Sequence, residues 1–183
     1  SQRPCPLSGD KDFLLLQIND ALFPIGGYSH SYGLETYIQK GIVCDMASAD
    51  AYIRQNIRTN LLYHELLLIR LAWEYADMDD LEALLGLEEI AEASRSPREI
   101  REASRKLGSR FLKTTAGLDI SYRSSIFQRY TEAAEERVSH PCAYGVFCSA
   151  AGIEKEPAIY HFLYAQISAM VTNCVKTIPL SQS

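Results

Sequence analysis

Long apolar runs are missing from this chain of 183 residues. No stretch approaches the ~18 consecutive apolar residues that a membrane span needs, so a soluble, cytoplasmic protein with no membrane partner is expected. Cysteine is sparse and unpatterned. The five (Cys5, Cys44, Cys142, Cys148 and Cys174) are odd in number, scattered, and form no CxxC pair. That excludes a disulfide framework and points to reduced thiols. An excess of positive charge is also lacking: 18 Lys and Arg stand against 23 Asp and Glu, for a net charge of −5. Nucleic-acid-binding domains typically have a pI above ~9, so nucleic acid is not an expected partner. Strand patterns, internal repeats and linkers are absent. The opening "SQRPCPLSGDKD" is polar and contains proline, so a flexible tail over residues 1–11 and not a signal peptide is expected.

What is present is helical. Apolar residues make up 47% of the chain, enough to cover the core of one domain over residues 12–183. "DFLLLQINDALF" reads as a buried first helix closed by Pro24, because the residue before proline avoids the α region. "LETYIQKG" reads as a short helix stopped by Gly41. Ser48 is placed as the cap of a long helix to about Tyr75, in which Ile53, Ile57, Leu61, His64, Leu68 and Leu71 share an apolar face. Asp79 with Glu82, and Ser96 with Pro97 and Glu99, suggest capping boxes for two further helices. The second of these directs Ile100, Ala103, Leu107 and Phe111 inward. "SYRSSIFQRYTEAAEERVS" is amphipathic, and "HPCAYGVFCSAAGI" starts with a first-turn proline and ends near Gly152.

The last segment, "EPAIYHFLYAQISAMVTNCVKTI", is apolar on most sides, the mark of a central helix. Ala165 and Ala169 would admit a close neighbour. The expected fold is therefore all-α, a single-domain helical bundle around a buried C-terminal helix.

The stretch "LFPIGGYSHSYGLE", residues 22–35, concentrates glycines, hydroxyls, a histidine and a carboxylate. A phosphate loop would need GxxxxGK[ST], but Gly33 falls one residue too far from Gly27 and Leu34 stands where lysine belongs. A nucleophile elbow would need glycine where Ser31 stands. A triad is spatial, so the adjacency of Ser29, His30 and Glu35 does not make one; a hydrolase using Ser29 and His30 stays open as an alternative. "HELLL" begins like a zincin helix but has Leu68 in place of the second histidine, and His64 reads as a half-buried structural residue. His140 and Cys142 are of types that ligate nickel or zinc, which leaves a metallochaperone open. Arg98, Arg101 and Arg105 share a helical face, with Lys106, Arg110 and Lys113 nearby. It is either a solvated surface or a site for an acidic protein partner.

Taken in order, "LLLQINDALFPIGGYSHSYGLE", "LGSRFLKT", "YGVFCSAAGI" and "HFLYAQISAMVTNCVKTIPLSQ" resemble the UreF family of urease accessory proteins. The resemblance implies an all-helical, homodimeric protein with no enzymatic activity, catalytic residue, metal or cofactor of its own. It implies a bridge between the scaffold protein UreD (UreH in some bacteria) and the GTPase UreG, coupling GTP hydrolysis to nickel insertion into apo-urease. It further implies that the glycine-rich turn faces partners. Tyr28 would be its main contact, and Pro24, Gly26 and Gly27 would set the backbone path. Ser29, His30 and Ser31 would offer hydrogen bonds, and Glu35 would pair with Lys176. Relative to the family pattern, the chain is expected to lack the usual C-terminal extension beyond "PLSQ".

Overall fold

The computed structural model describes residues 8–20, 23, 34–59, 61–94 and 98–178. In chain order the helices are α1 (Ser8–Ile18), α2 (Leu34–Gln39), α3 (Met46–Thr59), α4 (Leu61–Asp77), α5 (Leu81–Ser94), α6 (Arg98–Ala116), α7 (Ile126–Ala133), α8 (His140–Ala150) and α9 (Lys155–Thr177). Among the described residues there is no strand. The all-α, single-domain expectation holds.

The centre is α8, not the C-terminal helix. All eleven residues of α8 are buried. Its neighbours meet it with apolar seams: Leu68, Ile69 and Ala72 from α4, Phe111 from α6, Ile126 and Phe127 from α7, and Phe162 from α9. The Phe111 ring lies 5.5 Å from Phe147 and 5.6 Å from His140, and the Tyr144 ring lies 5.2 Å from Phe162. Each fully covered side chain of this size contributes on the order of 1.5–3 kcal/mol. Small residues let α4 come close: a Cβ on Gly145 would stand 2.6 Å from the Ile69 carbonyl oxygen.

α9 instead lies at the surface with one covered seam. Ala158, Phe162, Gln166, Met170 and Cys174, at four-residue steps, are buried. Tyr160, Tyr164, Val171 and Val175 are exposed. The sequence is apolar on most sides of this helix, and hydrophobicity alone does not say which side another helix covers. α1 is likewise covered on one side only. Leu15 and Ile18 are buried, whereas Phe13 is 75% and Leu16 56% exposed. It starts at Ser8, inside the stretch expected as tail, and ends at Ile18, ahead of Pro24.

The helix ends follow backbone chemistry. Gly152 has φ +77°, and the Ile153 N–H donates to the Cys148 carbonyl at 2.8 Å. This closes α8 in the left-handed turn that glycine favours. Gly41, φ +69°, ends α2 in the same way.

Two expected caps are displaced. Asp45, not Ser48, caps α3: its Oδ1 accepts the Ser48 N–H at 2.8 Å, while Ser48 Oγ accepts the Asp45 N–H at 3.1 Å. Asp79 has φ +58° and belongs to the end of α4, and Asp80 Oδ1 caps α5 by accepting the Ala83 N–H at 3.0 Å. The long helix expected to run to Tyr75 corresponds to α3 and α4, with Asn60 between them outside the described residues. Ser96 and Pro97 lie outside the described residues, and α6 is described from Arg98.

Candidate functional site

Pro24, Gly26, Gly27, Tyr28, Ser29, His30 and Ser31 lie outside the described residues, as does the side chain of Glu35. Their frame is described. On the upstream side, Asn19 Nδ2 donates to the Leu15 carbonyl at 2.9 Å and to the Tyr144 phenolic oxygen at 2.9 Å. The Tyr144 hydroxyl in turn donates to the Ala158 carbonyl at 2.7 Å. One buried polar chain thus ties the end of α1 to both α8 and α9. Phe23, also buried, rests on Phe111 at 6.3 Å between ring centres. Downstream, Ile38 of α2 packs on the small cluster of Val43, Ala49, Cys174 and Ile178. The Tyr37 and Tyr52 rings meet at 5.5 Å. Both ends of the glycine-rich stretch are therefore fastened, and both fastenings involve α9.

Beside the first fastening lies a groove of about 420 Å³ between α1 and α9. Leu16, Asn19 and Asp20 line one wall, and His161, Ser168 and Lys176 line the other. Ala165 and Ala169 face this groove, leaving room there that larger side chains would fill. Lys176 is exposed at the C-terminal end of α9. Tyr164, 74% exposed, and Leu16 line the groove, and Tyr160 on α9 and Phe13 on α1 are exposed as well. Aromatic residues with a polar tip, gathered on an exposed face, are the composition of a protein-binding surface.

The other sequence candidates fall elsewhere. His64 is half-buried, and its Nε2 lies 2.9 Å from Ser94 Oγ, a link between α4 and α5 that fits its structural reading. His140 and Cys142 are buried in α8, and the His140 ring is packed against Phe111, Tyr144 and Phe162. That environment suits a core histidine. Among the described residues, no group of three or more His, Cys, Asp or Glu side chains could hold a metal ion. Burial also pushes the Cys148 thiol well up, away from thiolate chemistry. No helix of the described residues is long and apolar enough to cross a membrane.

A model of the UreF family matches residues 43–183. The urease accessory protein UreF of Actinobacillus pleuropneumoniae is 35% identical over 168 residues, covering 92% of this chain and 74% of the relative. Those of a Bacillus species (strain TB-90) and Lachnoclostridium phytofermentans are 36% and 35% identical over 172 residues, with the same coverage. The chain belongs to the UreF family of urease accessory proteins.

Sequence reasoning found the glycine-rich stretch of this UreF chain but missed Phe13 and Leu16, which it treated as part of a buried helix. The signal that could have found them is the run of apolar residues on every side of α1, more than one neighbour can cover.

Proposed function

We propose that this UreF-family chain acts in urease maturation as a non-enzymatic, cytoplasmic adaptor. It bridges the scaffold protein UreD (UreH) and the GTPase UreG, so that GTP hydrolysis is coupled to nickel insertion into apo-urease. Nickel is cargo of the assembly and needs no resident site in this chain. The observation that supports the reading is that the residues flanking the glycine-rich segment are fastened through Asn19 and Phe23, while aromatic residues on α1 and α9 stand exposed. Tyr28 supplies the main contact, with Pro24, Gly26 and Gly27 shaping the path and Ser29, His30 and Ser31 offering hydrogen bonds. Glu35 and Lys176 form an ion pair at its edge. The same apolar face of α9 serves a homodimer contact.

The test is co-purification of this chain with scaffold and GTPase, read alongside activation of apo-urease by nickel. Tyr28→Ala is expected to weaken assembly by about tenfold, the loss of a typical aromatic anchor. Tyr160→Ser with Tyr164→Ser is expected to weaken it further while changing folding stability by no more than about 0.5 kcal/mol, since both side chains are exposed. Wild-type assembly by both variants would sink the reading.

A further inference from the structure

A cleft of about 400 Å³ lies between α5, α6 and the turn that joins α7 to α8. It shares no lining residue with the groove between α1 and α9. Its charged lining is balanced, with Arg101, Arg105 and Arg137 against Glu88, Glu89 and Glu92. Most of these charges are already engaged. Arg105 pairs with Glu92, and Arg137 with Glu135. The Glu88 carboxylate accepts the Ser139 N–H at 3.1 Å and the Tyr130 hydroxyl, which holds it at the start of α8. Glu89 is exposed, where solvent weakens its field.

Two groups of the lining stand apart, and they lie one turn from each other on α6. Arg101 is half-buried and makes no hydrogen bond or ion pair to any described residue, although its charge is felt by exposed Glu102. Ser104 is 7% exposed. Among the described residues, its Oγ is the one buried side-chain nitrogen or oxygen without a hydrogen-bond partner. A helical hydroxyl ordinarily returns to the carbonyl four residues back. Thr115 Oγ1 does so to Phe111 at 2.8 Å, and Thr131 Oγ1 to Phe127 at 2.7 Å. Ser104 does not, so its burial costs stability that a ligand would restore.

We infer that this cleft is a binding site for a single carboxylate group, held by the Arg101 guanidinium and the Ser104 hydroxyl. A guanidinium presents paired N–H donors that match the two oxygens of a carboxylate, and the hydroxyl adds one more donor. The balance of the lining selects a monoanion: a dianion such as phosphate would meet three glutamates with one arginine uncommitted. A cation is disfavoured too, because Glu88 and Glu92 are already bonded and Glu89 is exposed. A cleft of this size admits more than the carboxylate itself. The group therefore arrives on a small organic acid or on an acidic side chain of a partner protein.

The test is an amide NMR titration of the whole chain with four probes. These are N-acetylglycine, its neutral amide, inorganic phosphate, and a short peptide carrying one glutamate. N-acetylglycine is expected to shift the Ser104 amide saturably, and the neutral amide and phosphate to bind about tenfold more weakly or worse. Arg101→Gln is expected to lose about tenfold in affinity, and Ser104→Ala about two- to tenfold. Ser104→Ala is also expected to hold the melting temperature or raise it by up to about 4 °C, because it removes an unpaired hydroxyl. A purely structural serine would give a fall instead.

Tighter binding of the peptide assigns the carboxylate to a partner protein, and binding of the small acid as tightly or better assigns it to a free organic acid. Both support the site. No saturable shift, equal binding of the amide or of phosphate, unchanged affinity in Arg101→Gln, or a lower melting temperature for Ser104→Ala would each overturn it. The comparison of probes on wild-type protein needs no variant, so it decides even where a substitution disturbs folding. No urease component enters the assay, and its failure leaves the adaptor reading standing.

Discussion

Asn19 and Tyr144, 125 residues apart in sequence, share a buried hydrogen bond of 2.9 Å, and the Tyr144 hydroxyl donates in turn to the Ala158 carbonyl. The pair fixes where α1 stops and therefore where the glycine-rich stretch begins. Tyr144→Phe keeps the ring among Phe111, His140 and Phe162 but strips Asn19 of this acceptor and Ala158 of this donor. A loss of about 1–3 kcal/mol is expected, the cost of breaking a buried polar pairing. Urea unfolding followed by circular dichroism measures it, and an unchanged midpoint would show that the bond holds nothing in place.

Two glycines of the helical core should respond to alanine with opposite signs. At Gly145 a Cβ would approach the Ile69 carbonyl oxygen to 2.6 Å and the Ala72 Cβ to 3.0 Å, so α4 and α8 must separate. Overpacking of this kind costs about 1–3 kcal/mol. At Gly86, within α5, a Cβ would meet nothing within 4 Å. There the gain in helix propensity is about 1 kcal/mol. Thermal melts of Gly145→Ala and Gly86→Ala should move down and up respectively, and movement in the same direction would contradict the packing described.

Glu74 sets a pH dependence. Hydrogen bonds from Lys155 and Arg70 hold its carboxyl below the ordinary glutamate value of 4.5 in the folded protein. A depressed folded-state value means that the stabilisation is complete above the unfolded-state value and is lost as pH falls through the folded one. Stability should therefore decline on acidification from about pH 5 downward. Lys155→Met keeps a side chain over the Trp73 ring but removes the 2.9 Å ion pair. Denaturation midpoints at neutral and acidic pH should differ less for this variant than for wild type. An equal difference would show that the Lys155 pairing makes no net contribution.

Much of this architecture could be read from the residues because local signals and tertiary packing agree at most helix ends. Gly41 and Gly152 adopt the positive φ that their positions suggested. Where two residues could serve the same purpose, the reading slipped. Asp45 and Ser48 are both good cap residues three apart, and they bond each other's backbone N–H, so pattern alone does not say which begins the helix. Asp79 beside Asp80 posed the same ambiguity, resolved by a left-handed Asp79.

The identity of the central helix was hidden for another reason. α8 is short and rich in Ala, Gly, Ser and Cys, whose small side chains carry little hydrophobic weight individually. Those same small side chains are what allow neighbours close enough to enclose it. α9 is long and apolar all round, yet Tyr160 and Tyr164 face outward. Of the candidate site, the chemistry of the stretch from Pro24 to Ser31 was legible. Its fastening through Asn19 and Phe23 required two residues far apart in sequence to meet, which no local pattern encodes.

Complete enclosure of α8 also assigns it a particular part in hydrogen exchange. Its amides are sheathed on every side by other helices, so solvent deuterium reaches them only when the whole domain opens. The outer turns of α1 and α9 open locally. The exchange of α8 thus reads out global unfolding, while any slowing confined to α1 or α9 in an assembly marks the face a partner covers.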